Sequence, residues 1–118
     1  MTVVDPRVLR ETVDGSTVRI DFVVPDDLEY FDGHFPGVPI VPGVVQIKWA
    51  IESARRCLTI SGAVARIEAL KFQQIMQAGA QITLQLEYAA ESRKLYFAFE
   101  SEQARHSSGR IVLAESAS

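Results

Sequence analysis

From Thr17 to Pro25 apolar residues take every second position: Val18, Ile20, Phe22 and Val24, with charged Arg19 and Asp21 between. A period of two puts one set of side chains on one face, so this stretch predicts a half-buried strand stopped by Pro25. Gln81 to Tyr88 alternates strictly, with Ile82, Leu84, Leu86 and Tyr88 on one face. After Glu91-Ser92-Arg93 the pattern returns in Leu95, Phe97 and Phe99. Ala65 to Met76 predicts a long strand whose alternation drifts, with Ile67, Ala69, Phe72 and Ile75 facing inward. Gln77-Ala78-Gly79 turns the chain into the next strand. Ser107-Ser108-Gly109 reads as a turn into a last strand, Arg110 to Ala114, before a frayed tail. At the other end, Val8, Leu9 and Val13 suggest a short strand or turn before Asp14-Gly15, a hairpin-type dipeptide.

Between these strands the period changes. Apolar residues at 47, 50, 51, 54 and 58 follow helical i, i+3, i+4 spacing, predicting a helix from near Gly43 to about Leu58. Val44, Lys48 and Glu52 form an adjacent row. Arg55 and Arg56 suit the last turn, where cations oppose the helix dipole, and Ser61-Gly62 ends the element. Trp49 falls off the apolar stripe, which predicts contact with a partner subunit or the sheet edge and an acceptor for its N–H. One strand, a loop, one helix and four strands on short turns imply an antiparallel sheet curled round a central helix. The fold class is α+β, in one domain over residues 1–118.

Composition adds exclusions. The 118 residues are 47% hydrophobic and 23% charged, with net charge −3 and no Lys/Arg cluster beyond Arg55–Arg56. That argues against nucleic acid, which needs a basic stripe. Cys57, the single cysteine, cannot form an internal disulfide and suits a small core or interface residue. The N-terminus lacks signal-peptide character and no apolar run reaches membrane-span length, so a cytoplasmic protein without membrane insertion is expected. Two histidines and one cysteine, widely separated, predict no metal site. His106 falls in a predicted turn and reads as a solvated bystander.

The chemistry gathers ahead of the helix. Between Tyr30 and Gly43 stand three glycines (Gly33, Gly37, Gly43), three prolines (Pro36, Pro39, Pro42) and His34. Proline fixes φ and glycine permits φ > 0, so this loop has a defined path, suited to holding a side chain in place. Histidine titrates near neutrality, as proton abstraction requires. Phe31, Phe35 and Pro42 are candidates to line a substrate channel, and the two aromatics fit the core equally well.

The run G-H-F-P-G-V-P-I-V-P-G-V-V (Gly33 to Val45) resembles the active-site loop of 3-hydroxyacyl-acyl-carrier-protein dehydratases of the FabZ/FabA type, which have the hotdog fold. G-V-V-Q-I-K-W-A-I (Gly43 to Ile51) is similar to the ApeI-like dehydratase-like proteins of aryl-polyene and related lipid gene clusters. Lys71 to Glu87 resembles the family's paired strands around a turn usually written P-G-D. The resemblance implies a lyase of fatty-acid or polyene lipid biosynthesis that dehydrates 3-hydroxyacyl thioesters. The substrate would ride on the phosphopantetheine of an acyl carrier protein, with no other cofactor. It implies a homodimer or larger oligomer with sites at the subunit interface. His34 would remove the α-proton, and a carboxylate on the partner's helix would handle the β-hydroxyl. Independently, the amides of Gly43 and Val44 suit a developing enolate oxygen, since helix N-termini carry unpaired N–H groups.

One departure concerns the acid. Fourteen residues after the histidine, where the family has Glu or Asp, this chain has Lys48; one turn on, where glutamine is common, it has Glu52. Three readings stay open. Glu52 serves, from about 5.4 Å further along the helix. Or Lys48 is the acid, since burial can bring a lysine toward neutrality. Or the two form an i, i+4 ion pair on a solvated face, leaving an impaired subunit that binds acyl thioesters or completes a heterodimer with another hotdog protein. A hotdog thioesterase with Glu52 activating water is a further alternative.

Overall fold

A computed structural model describes residues 3–28 and 39–115. It contains β1 (Arg7–Asp14), β2 (Thr17–Val23), α1 (Gly43–Cys57), β3 (Val64–Phe72), β4 (Gln81–Ala89), β5 (Lys94–Glu100) and β6 (Arg105–Leu113). All strands join one antiparallel sheet in the order β1-β2-β4-β5-β6-β3.

The alternating segments behave as their pattern predicts. Val18, Ile20, Phe22 and Val24, then Ile82, Leu84 and Leu86, then Leu95, Phe97 and Phe99 are all buried in one cluster with the helix. Tyr88 is half-buried against that cluster. Phe22 meets Trp49 and Phe99 edge-on at centroid distances of 5.8 and 6.1 Å, the arrangement aromatic quadrupoles favour. Asp14 pairs with Thr17 across Gly15-Ser16, and Gly15 has φ +61, as a tight hairpin requires. Gly79, at φ +80, makes the expected turn before β4.

The helix keeps its predicted limits but is rotated about its axis. Its buried face carries Val45, Gln46, Trp49, Ala50, Ser53 and Ala54, while Ile47 and Ile51 are only partly buried. Trp49 is therefore a core residue, 2% exposed, and not a partner or sheet-edge contact. Its N–H does find an acceptor, donating to the Val4 carbonyl at 3.0 Å. The polar side chains at 46 and 53 hide the true core stripe from a hydrophobicity pattern. Arg55 and Arg56 occupy the last turn as expected; Arg55 donates to the Gly62 carbonyl and Arg56 pairs with Glu11 on β1. Cys57 is half-buried beside them, and burial, then the charge of Glu11, pushes its thiol up, away from reactive-thiolate character.

Three expectations for the second half are corrected. β3 and β4 are not neighbours: β3 pairs with β6 at the sheet edge, and residues 73–80 carry the chain across to β4. β3 is exposed along nearly its whole length, so Ile67, Ala69, Phe72 and Ile75 do not fill the core of the protomer. No turn occurs at Ser107-Ser108-Gly109, because β6 runs unbroken from Arg105. Gly109 is there for space: a Cβ would lie 3.0 Å from the Phe97 ring.

Candidate active site

Where the loop meets the helix, Pro42 is the N-cap, with φ −59 and ψ 148. Its carbonyl accepts from the N–H groups of Val45 and Gln46 at 3.0 and 3.2 Å. The amides of Gly43 and Val44, first in the helix, have no intrahelical acceptor by helix geometry. Val44 is 73% exposed, so this end of the helix opens on solvent. No acidic residue lies in the first turn to satisfy the positive end of the dipole. His34, Phe31 and Phe35 lie outside the described residues.

Lys48 and Glu52 are both exposed on the helix. Lys48 shares the row of Val44 one turn from the helix start. Glu52, two turns from Val44, borders a pocket of about 380 Å³ on the β1 side with Asp5, Trp49 and Arg56.

Several residues at the site carry no chemical motif. Phe72 of β3 lies over Gly43: a Cβ on Gly43 would sit 2.6 and 2.8 Å from two of its ring carbons. Behind the helix start, Gln46 donates through Nε2 to the Val41 carbonyl at 3.2 Å and accepts at Oε1 from Ser107 Oγ at 2.6 Å. Both side chains are buried. His106 is also buried, correcting the solvated reading, with Nδ1 2.9 Å from the Ile75 carbonyl and Nε2 2.8 Å from Ser101 Oγ. Its own carbonyl accepts from the N–H groups of Gln73 and Gln74. The segment so held pairs with the loop: Val41 N–H donates to Met76 at 2.8 Å and Ala78 N–H to Pro39 at 3.1 Å. A polar residue at helical core spacing, Gln46, was the available signal for this network. Among the described residues, no cluster of His, Cys, Asp or Glu could hold a metal, and no helix is long and apolar enough to cross a membrane.

An antiparallel sheet packed on one helix is the architecture of a hotdog protein. The chain belongs to the ApeI-like dehydratase family, whose model, described as ApeI dehydratase, matches residues 10–110. It is similar to the dehydratase heterocomplex ApeI:P from Xenorhabdus doucetiae (28% identity, TM-score 0.88), the match covering 94% of this chain and 99% of that one. An uncharacterized protein from Erwinia carotovora subsp. atroseptica matches at 32% identity and TM-score 0.80, covering 92% and 95% of the two chains. The 3-hydroxyacyl-[acyl-carrier-protein] dehydratase FabZ of Erythrobacter litoralis is 31% identical over 77 residues, 58% of this chain and 51% of the relative. The match spans about half the length of the curated relatives.

Proposed function

We propose that this chain dehydrates 3-hydroxyacyl thioesters, carried on the phosphopantetheine of an acyl carrier protein, to trans-2-enoyl thioesters in the cytoplasm. The observation that carries this reading is the solvent-open helix start at Gly43–Val44, on a chain of the ApeI-like dehydratase family. His34 would take the α-proton. The electron pair moves onto the thioester oxygen, where the Gly43 and Val44 amides stabilise it. It then returns to form the Cα–Cβ double bond as the β-hydroxyl leaves with a proton, as water. No cofactor beyond the carrier's arm is required.

For the acid, the position along the helix favours Lys48 over Glu52. Lys48 holds the position fourteen residues after His34 where the resemblance places the acid, whereas Glu52 lies one turn further on and borders the pocket beside Asp5 and Arg56. A cation there would also keep His34 neutral and able to accept a proton.

Assembly fits the same reading. Ile67, Leu70, Phe72 and Ile75 are exposed on and just after edge strand β3, as is Val44, which follows the Gly43 that Phe72 covers. Such an apolar surface suits burial against a second hotdog chain, which would bring the partner's helix to the site. A second reading makes that partner a different hotdog protein supplying the usual carboxylate. It is supported by Lys48 at the family's acid position and by the heterocomplex of the similar Xenorhabdus doucetiae protein.

The test is enoyl formation from a purified 3-hydroxyacyl carrier-protein thioester by wild type, His34→Ala, Lys48→Ala, Lys48→Glu and Glu52→Gln. Loss with His34→Ala and Lys48→Ala supports the dehydratase with Lys48 as acid. Loss with Glu52→Gln transfers that role to Glu52. An inactive wild type not rescued by Lys48→Glu overturns the stand-alone enzyme and leaves the partner-subunit reading. Release of free thiol without enoyl product identifies a thioesterase.

A further inference from the structure

We infer that Gln46 and Ser107 are positioning residues that set the two open amides of the helix start, Gly43 and Val44; as a statement about catalysis this rests on the dehydratase reading above. The sequence Val41-Pro42-Gly43 is held at both backbone groups of its first residue. Val41 N–H donates to the Met76 carbonyl, and the Val41 carbonyl accepts from Gln46 Nε2. The direction of the Gln46 amide is fixed in turn, because its Oε1 takes the Ser107 hydroxyl at 2.6 Å. Ser107 sits in β6, paired with Phe99 on one side and Phe72 on the other. The strand that orients Gln46 is therefore paired with the one that carries Phe72 over Gly43. One rigid ladder fixes both the donors and the aromatic above them.

Stability alone gives a weak reason for this couple. Gln46 is 3% and Ser107 0% exposed, next to Val45, Ala50 and Phe99 in the apolar core. Burying two polar side chains gains little over apolar residues of the same shape once desolvation is counted. What the couple adds is direction. It places the carbonyl two residues before Gly43 at a defined point, and preorganised donors lose their effect when displaced by about 1 Å. Among the described residues every buried side-chain polar atom has a partner, so breaking one link leaves a specific group unpaired.

The variants are Gln46→Met, which keeps volume and removes both bonds, and Ser107→Ala, which releases the amide. Ser53→Ala is the control, a buried polar residue on the same helix face. The first readout needs no substrate: backbone amide resonances and solvent exchange of Gly43 and Val44 by NMR. Both should move in Gln46→Met and Ser107→Ala and stay in place in Ser53→Ala. The second is turnover of the carrier-bound thioester, where kcat should fall about tenfold with KM nearly unchanged, short of the roughly hundredfold or greater loss on removing an oxyanion donor outright. Gly43 and Val44 amides that do not move, or that move as much in the control, overturn the inference. A wild type without turnover overturns the dehydratase reading, and the amide measurement still decides the positioning role.

Discussion

The Phe72 ring occupies the space that a side chain on Gly43 would need, at 2.6 Å from an ideal Cβ. The glycine is required by this close approach; its φ lies outside the positive range that favours glycine elsewhere in the chain. Phe72 reaches that place because β3 carries an extra residue. Glu68 pairs with Arg110 and Lys71 with Ser108, so β3 spends three steps where β6 spends two, and Ala69 takes φ 52 at the bulge. Without the bulge, Lys71 would face Gly43 and Phe72 would point to the other side of the sheet.

Gly43→Ala should therefore cost about 1–3 kcal/mol, the usual penalty of overpacking, and lower activity by pushing the ring or the helix start aside. Adding Phe72→Leu should recover most of the stability, since the flexible, smaller side chain leaves room for the methyl. Urea denaturation of the two single variants and the double variant measures this coupling. Additive losses would show that ring and glycine act independently.

The edge of β3 yields a prediction about assembly. Ile67→Glu or Ile75→Glu places a charge on an apolar surface exposed in one protomer, so folding should survive while association weakens. Light scattering after size exclusion should report a dimer or larger species for wild type and a monomer for either variant at micromolar concentration. An unchanged mass for both variants would remove β3 from the interface.

His106 gives a sharper contrast between a surface and a structural role. A solvated histidine could be replaced with effects of roughly half a kcal/mol. Here the ring contacts the Ile75 carbonyl and Ser101 Oγ from a buried position. His106→Ala should lower stability by about 1–3 kcal/mol through the partners left unpaired. It should also speed hydrogen exchange at Gln73 and Gln74, whose N–H groups bond the His106 carbonyl. A variant as stable as wild type would restore the bystander reading.

The strands that could be read from sequence are those with both neighbours paired and one face on the helix: β2, β4 and β5. There the period of two survives, and the buried sets from Val18 to Phe99 match their pattern. β3 departs from its sequence pattern because two register shifts, near Ala65 and Ala69, break the period, and because it lies at the edge. β6 hides its first half because Ser107-Ser108-Gly109 has turn composition. Ser107 is instead buried with a hydroxyl partner, and Gly109 makes room for Phe97. The helix limits were legible while its rotation was not, since Gln46 and Ser53 occupy core positions. At the site, the open amides of Gly43 and Val44 could be anticipated from helix geometry alone. Phe72, Gln46 and Ser107 could not, because their roles depend on contacts between distant parts of the chain.

Glu68 supplies a prediction about acid. It accepts from Arg66 Nε and Arg110 Nε, each at 2.7 Å, with Lys94 Nζ 3.6 Å away. The hydrogen bonds from Arg66 and Arg110, the largest causes, hold its carboxyl at about 2 against an ordinary value of 4.5. A carboxylate with a depressed folded-state pKa contributes stability that is fully present above the unfolded value and lost as pH falls through the folded one. The window is therefore pH 4.5 down to about 2. Wild type should hold a constant advantage over Glu68→Gln above about pH 5, which shrinks steadily below pH 4.5. Because the pair is at the surface, added salt should reduce the advantage at neutral pH. Side-chain carboxyl NMR locates the midpoint directly. A midpoint near the ordinary carboxylate range, or an advantage that persists undiminished at pH 2.5–3, would show that Arg66 and Arg110 do not hold Glu68 charged.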